Sequence, residues 1–109
     1  IIDGRVDDEM KVEPVDKKFE AFGFNVIRVD GHNFKELNDA IEAAIKNHQD
    51  GGDKPTAICM DTYKGEGVDF MKDNYLWHYG SLDEEMVKNA YASLDKYYKE
   101  RCDRAEKEA

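Results

Sequence analysis

The chain has 109 residues, of which 38% are charged, and its formal net charge is −9. This length allows one domain with a modest core, and the acidic balance argues against a nucleic-acid partner, because phosphate backbones are bound by basic surfaces. No apolar run approaches the roughly 20 residues that cross a bilayer, and the start does not look like a signal peptide. Cys59 and Cys102 are far apart and have no partner at metal-ligand spacing, so in this charged chain they predict a cytoplasmic protein.

The first part of the chain predicts a short helix and a strand. Residues 1–13 have no clear period and are interpreted as a leading loop. Pro14 suits the first turn of a helix that Gly23 would end, because proline favours helix starts and glycine favours helix ends. Residues 24–30, with the sequence FNVIRVD, then form a predicted strand rich in β-branched residues.

A second helix and a second strand follow. Asn33 can cap the helix, with Glu36 at the capping-box position, and apolar residues recur on one face at spacings of three and four. After a loop rich in glycine and aspartate, Pro55 leads into a predicted strand over residues 56–60. A strand, a helix and a strand joined by short links predict a right-handed β-α-β unit with parallel strands.

The last part of the chain predicts a long loop and a long helix. Residues 65–79 have no sustained period, and loops of this length are usually functional or disordered. Ser81 and Glu84 form a predicted capping box, and the helix that they open carries an apolar stripe. Residues 100–109 are charged on every side and are expected to fray.

Parallel strands end at the same edge of a sheet, which indicates where a ligand would bind. The turn at residues 30–32, in which His32 is interpreted as structural, and the loop at residues 62–67 follow the two strands. In that loop Lys64 could meet a phosphate next to flexible glycine backbone, although an ordinary turn explains the same glycines. His78 could bind an anion or move a proton, although a packed histidine beside a tryptophan is the commoner case.

Six motifs occur along the chain in order. They are Ile-Asp-Gly at residues 2–4, Ala-Phe-Gly-Phe at 21–24, Val-Asp-Gly-His-Asn at 29–33, Lys-Pro-Thr at 54–56, Thr-Tyr-Lys-Gly-Glu-Gly-Val at 62–68 and Trp-His at 77–78. In order and spacing they resemble the transketolase family, and in particular the N-terminal subunit of split bacterial transketolases. Residues 70–78 also resemble the Phe-Met-x-x-Asn-x-x-Trp-His stretch of the split form.

The resemblance implies a fold, a reaction and two cofactors. The fold is α/β, a fragment of the thiamine-diphosphate-binding fold with a β-α-β unit, parallel strands and a long C-terminal helix. The reaction moves a two-carbon ketol unit between sugar phosphates with thiamine diphosphate and Mg²⁺. Residues 1–109 would form the C-terminal portion of the N-terminal, diphosphate-binding domain. The family's Gly-Asp-Gly and Asn metal motif would precede Ile1, so no metal ligand is expected in this chain.

The resemblance also assigns site residues. His78 matches the catalytic histidine that lies by the diphosphate and faces the substrate. Lys64 and Gly65 match the loop that passes the diphosphate, and Ile2 matches a position that packs near the cofactor rings. The family usually reads Trp-His-Gly, whereas here Tyr79 stands between His78 and the next glycine. This insertion could rotate His78 away from the crevice or only lengthen the loop.

The resemblance further implies partners. An upstream segment would supply the metal ligands, and a pyrimidine-binding domain or subunit would supply the activating glutamate, so this chain alone is expected to be inactive. Its start at Ile1 fits a piece of a longer protein, and the apolar surface of such a piece predicts an oligomer. One alternative is a deoxyxylulose-phosphate synthase fragment, which Val68 disfavours because that family has tyrosine there. Another is a non-catalytic α/β remnant or interaction module.

Overall fold

A computed structural model describes residues 2–108. Their elements are α1 (Val6–Glu9), α2 (Val15–Ala21), β1 (Asn25–Asp30), α3 (Phe34–Gln49), β2 (Thr56–Asp61), a 3-10 turn (Tyr75–His78) and α4 (Glu84–Glu108). The chain divides into two compact units. We call residues 11–62 the sheet unit, and residues 2–10 together with 63–108 the helical unit. The α/β class, the parallel strands and the long C-terminal helix are confirmed.

The sheet unit is the predicted β-α-β arrangement. Strand β1 pairs in parallel with β2, and the register runs from Asn25 opposite Thr56 to Asp30 opposite Asp61. Helices α2 and α3 both contact the two strands. Val29 is buried in this small core, because β-branched side chains pack well on a pleated surface. Among residues 2–108 the sheet has two strands, so the leading segment does not add a third.

Helix α3 divides its predicted apolar face into two strips. Leu37 and Ala40 lie on the less exposed strip, together with Ala44. Ile41 and Ile45 are 51% and 52% exposed. At 3.6 residues per turn the second strip lies about 90° around the helix from the first. A two-stranded sheet is too narrow to cover both strips, and the apolar surface expected of this chain is therefore present.

Two parts of the helical unit differ from the sequence interpretation. The leading segment, predicted as a loop, contains the single turn α1, in which acidic residues stand at the positive end of the helix dipole. The loop predicted as irregular contains the 3-10 turn, where the Asn74 side chain accepts a hydrogen bond from the amide of Leu76. Helix α4 runs to Glu108, and the fraying of its charged end stays a prediction.

The start of α4 also differs from the predicted capping box. Asp83 precedes the helix, and its Oδ1 accepts a hydrogen bond of 2.7 Å from the amide of Met86. This is the usual geometry of an aspartate N-cap, so Asp83 takes the place predicted for Ser81. Among residues 2–108 no helix has the length and apolar content that crossing a membrane requires.

Candidate functional site

The turn at the carboxyl edge of the sheet, residues 30–33, is held by backbone and short side chains; we call it the edge turn. The amide of Gly31 donates to the carbonyl of Asp61 at 2.8 Å, and the amide of His32 donates to Asp30 Oδ1 at 2.9 Å. A Cβ on Gly31 would lie 2.5 Å from Thr62 Cγ2, so the close approach requires glycine. His32 is half-buried in this turn, and its structural role stays a prediction.

The edge turn leads directly into α3. Asn33 is 8% exposed, and its Oδ1 accepts from the amides of Lys35 and Glu36 at 3.0 and 3.3 Å. The predicted N-cap is therefore confirmed. In a standard capping box the side chain of Glu36 would accept a hydrogen bond from the amide of Asn33. Here its Oε2 accepts instead from the amide of Asp30, at 2.9 Å.

A charge network braces the ends of β1 and β2, and sequence reasoning missed it. Arg28 binds the carboxylate of Asp61 through two nitrogens, at 2.8 and 2.7 Å. The same guanidinium lies 3.1 Å from Glu13 and 3.6 Å from Asp16. Hydrogen bonds from Arg28 lower the pKa of Glu13 and of Asp61. A lone arginine in a strand pattern gives no sequence signal for partners so distant along the chain.

The segment after β2, residues 63–74, folds back on itself; we call it the glycine loop. The carbonyl of Lys64 accepts a hydrogen bond of 2.8 Å from the amide of Asp73. Gly65 has φ +69°, and a Cβ there would lie 2.6 Å from the carbonyl oxygen of Met71. A Cβ on Gly67, with φ +96°, would lie 3.2 Å from side-chain atoms of α4. Both glycines are therefore needed for the shape of the loop.

Asp73 links the glycine loop to the leading segment. It has φ +55°, a conformation in which aspartate is enriched among residues other than glycine. Besides its backbone bond to Lys64, its carboxylate forms an ion pair with Arg5. Ile2, which is 60% exposed, stands three residues before Arg5. The contacts of Asp73 thus connect the leading segment, which contains Ile2, with Lys64 of the glycine loop.

His78 ends the 3-10 turn, and its side chain is exposed. The preceding Trp77 packs against Phe70, with ring centroids 5.4 Å apart. The inserted Tyr79 is extended and 92% exposed. A Cβ on Gly80 would lie 3.4 Å from the Trp77 ring, which is an ordinary contact distance. The insertion therefore projects outward as an extended residue.

The structure connects some of the predicted site residues through contacts. The helical unit contains all four predicted site residues, Ile2, Lys64, Gly65 and His78. The bonds of Asp73 connect the segments that carry the first three of them. Lys64 offers a point charge beside glycine backbone, which is how loops commonly bind phosphate. Within the described range 2–108 no group of three or more His, Cys, Asp or Glu side chains could hold a metal ion.

Comparison with known proteins gives a family. The family model described as "Transketolase, thiamine diphosphate binding domain" matches residues 1–100. The chain is 40% identical over 95 residues to the 6-deoxy-6-sulfo-D-fructose transketolase subunit of Clostridium sp. (strain MSTE9), covering 87% of this chain and 33% of that protein.

Two further relatives give the same result. Identity is 32% over 91 residues with an apulose-4-phosphate transketolase subunit of Actinobacillus succinogenes, covering 84% of this chain and 31% of that protein. It is 38% over 78 residues with rat transketolase, covering 72% of this chain and 11% of the rat enzyme. The chain thus spans about a third of the length of the two bacterial subunits.

Proposed function

This chain belongs to the transketolase family, and from that premise we propose that it forms part of the cofactor-binding half of a split transketolase. In this proposal residues 1–109 are the C-terminal portion of the N-terminal, diphosphate-binding domain. The assembled enzyme transfers a two-carbon ketol unit between sugar phosphates. The similarity to two subunits of about three times the matched length supports a split enzyme over a single-chain one.

The glycine loop carries the proposal. It lies inside the family-matched residues, and its backbone is fixed by the bond between Asp73 and Lys64 and by the close packing of Gly65 on Met71. A fixed loop does not have to be ordered when an anion binds, which saves conformational entropy. Lys64 and Gly65 would hold the diphosphate of the cofactor, one by charge and the other by allowing close backbone approach.

His78 and Ile2 would act beside the diphosphate. The exposed imidazole of His78 would donate a proton to, or accept one from, an oxygen of the bound sugar phosphate. Ile2 is apolar and 60% exposed, and it would pack against the cofactor rings. When bound, thiamine diphosphate supplies the electron sink that makes cleavage next to a carbonyl possible.

The remainder of the enzyme completes the site. As the family resemblance implies, the Mg²⁺ ligands would come from an upstream segment. The activating glutamate would come from a pyrimidine-binding domain or subunit. This chain alone is therefore inactive in the proposal, and no step of the reaction passes through a metal bound to it.

The test uses the assembled enzyme and two substitutions. His78→Asn should lower kcat about 100-fold or more, because general acid–base groups contribute roughly that much. Its affinity for thiamine diphosphate should stay within about threefold of wild type, since asparagine keeps a polar side chain of similar reach. His48→Asn is the matched control, because His48 is an exposed histidine at the end of α3. Equal kinetics for wild type and His78→Asn would refute the role of His78.

A further inference from the structure

A carboxylate lies inside the glycine loop, next to the positions proposed to hold the diphosphate. Glu66 stands between Gly65 and Gly67, and its side chain is 13% exposed. Its Oε2 is buried and accepts no hydrogen bond among the described residues. A carboxylate so placed cannot turn its charge fully toward water. An anion bound at the neighbouring backbone would therefore be repelled unless the charge of Glu66 is balanced.

Lys72 supplies that balance. Its Nζ lies 3.0 Å from Oε2 of Glu66 and donates a hydrogen bond of 3.2 Å to Oε1. The same ammonium lies 5.2 Å from the centre of the Tyr63 ring, in cation–π geometry. The hydrogen bond with Glu66 raises the pKa of Lys72. Lys72 is thus protonated, and it contacts both the carboxylate of Glu66 and the ring of Tyr63, the first residue of the glycine loop.

Lys72 also stands between the two residues that fix the loop backbone. Met71 packs against Gly65, and Asp73 donates to the carbonyl of Lys64. The ion pair of Lys72 with Glu66 therefore joins the first and last parts of the glycine loop, next to these two contacts. Loss of this ion pair would leave the carboxylate of Glu66 without a balancing charge and would make the backbone around Lys64 less rigid.

We propose that Lys72 is a positioning residue for cofactor binding, which neutralises Glu66 so that the glycine loop accepts a diphosphate. This inference rests on the proposed function and adds a residue outside the segment that passes the diphosphate. The effect is electrostatic: two like charges about 10 Å apart at an effective dielectric of about 20 repel strongly enough to weaken binding roughly tenfold. Lys72 itself does not touch the cofactor in this proposal.

The experiment is a double-mutant cycle in the assembled enzyme, with equilibrium affinity for thiamine diphosphate as the readout. Lys72→Met should weaken binding about tenfold, and kcat at saturating cofactor should stay within about twofold of wild type. Glu66→Gln should bind at least as tightly as wild type. The double variant should return to within about threefold of Glu66→Gln, because no uncompensated charge remains. Lys72→Arg should retain wild-type affinity.

Lys17→Met is the matched control, because Lys17 forms an ion pair of 2.9 Å with the exposed carboxylate of Glu20 on α2. Its cofactor affinity should not change. Wild-type affinity in Lys72→Met would overturn the inference. A double variant as weak as Lys72→Met would also overturn it, since Lys72 would then act directly or through stability. If wild-type enzyme fails to bind thiamine diphosphate, the proposed function falls, and this inference falls with it.

Discussion

The edge turn and the glycine loop each follow a strand, but they are stabilised by different means. In the edge turn, Asp30 binds the amide of His32 two residues away, and Asn33 caps the helix that begins at the next residue. In the glycine loop, the bonds join residues farther apart, such as Lys72 with Glu66 and Asp73 with Arg5. The edge turn therefore depends on hydrogen bonds within residues 30–36 and on the contact of Gly31 with the end of β2, whereas the glycine loop depends on ion pairs and on two glycines with positive φ.

This difference suits different tasks. The edge turn has the half-buried His32 and leads into the capped start of α3. A loop held by ion pairs carries charge that a ligand can meet. The glycine loop holds a half-buried Lys64 and, two residues later, Glu66, which is paired with Lys72. We therefore expect the binding function where the charges are, with the edge turn as scaffold.

The largest effect is expected at Gly65. Gly65→Ala places a Cβ 2.6 Å from the carbonyl oxygen of Met71 at a φ of +69°. Backbone strain and a contact with backbone atoms together should lower the free energy of unfolding by about 3 kcal/mol. Urea denaturation measures the loss. Gly51→Ala is the control, because its φ is +83° and a Cβ there would meet nothing within 4 Å. It should cost only about 1 kcal/mol; equal losses would mean that the loop is not tightly folded.

A smaller effect is expected at Asn33. Asn33→Ala removes the acceptor for the amides of Lys35 and Glu36, so the start of α3 loses its cap. The free energy of unfolding should fall by about 1 kcal/mol. Asn38→Ala, which removes only an exposed hydrogen bond to Glu42, should cost about 0.3 kcal/mol. A loss at Asn38 as large as that at Asn33 would show that the local account of the edge turn is wrong.

The smallest effect is a pH dependence with opposite signs in the two units. Arg28 lowers the pKa of Glu13 and Asp61, so their stabilising contribution is present above about pH 4 and is lost as the pH falls below it. Lys72 has a raised pKa beside Glu66, so its contribution is lost as the pH rises beyond about 10.5. These groups are exposed enough that each change is modest.

Thermal unfolding of Arg28→Met measures the acid side. Between pH 7 and pH 3 the melting temperature of wild type should fall further than that of the variant, because the variant has already lost the network. Lys72→Met should reduce the alkaline loss instead, because the variant no longer has the ion pair that is lost at high pH. An equal fall in melting temperature for wild type and Arg28→Met between pH 7 and pH 3 would refute the proposed role of Arg28 in acid stability.

Local signals explain what the sequence could predict. The cap at Asn33, the glycine turn after α2 and the β-branched strand residues all involve neighbours within a few positions, and these elements are confirmed. The helical turn at residues 6–9 was missed because acidic residues alone do not distinguish a one-turn helix from a loop. The position of Asp83 was missed because Ser81 offered an equally acceptable cap pattern.

The candidate site was predictable only as far as its motif residues. Ile2 came from the family resemblance alone, whereas Lys64, the glycine beside it and His78 were also candidates from their chemistry and place in the chain; the roles of all four stay predictions. The residues that shape the loop around them, Lys72 and Asp73, lie 6 to 68 residues from their ion-pair partners. No periodicity in the sequence reports such pairs, because loop contacts follow from tertiary packing. The structure was therefore needed to find them.

The most direct test of the central claim is hydrogen exchange in the assembled enzyme, with and without thiamine diphosphate. If the glycine loop holds the diphosphate, amides in residues 63–74 should exchange at least about tenfold more slowly when the cofactor is bound. Residues 48–53, which end α3 and form the loop before β2, should exchange at the same rate in both states. Unchanged exchange in residues 63–74, with the cofactor bound at saturation, would contradict the account.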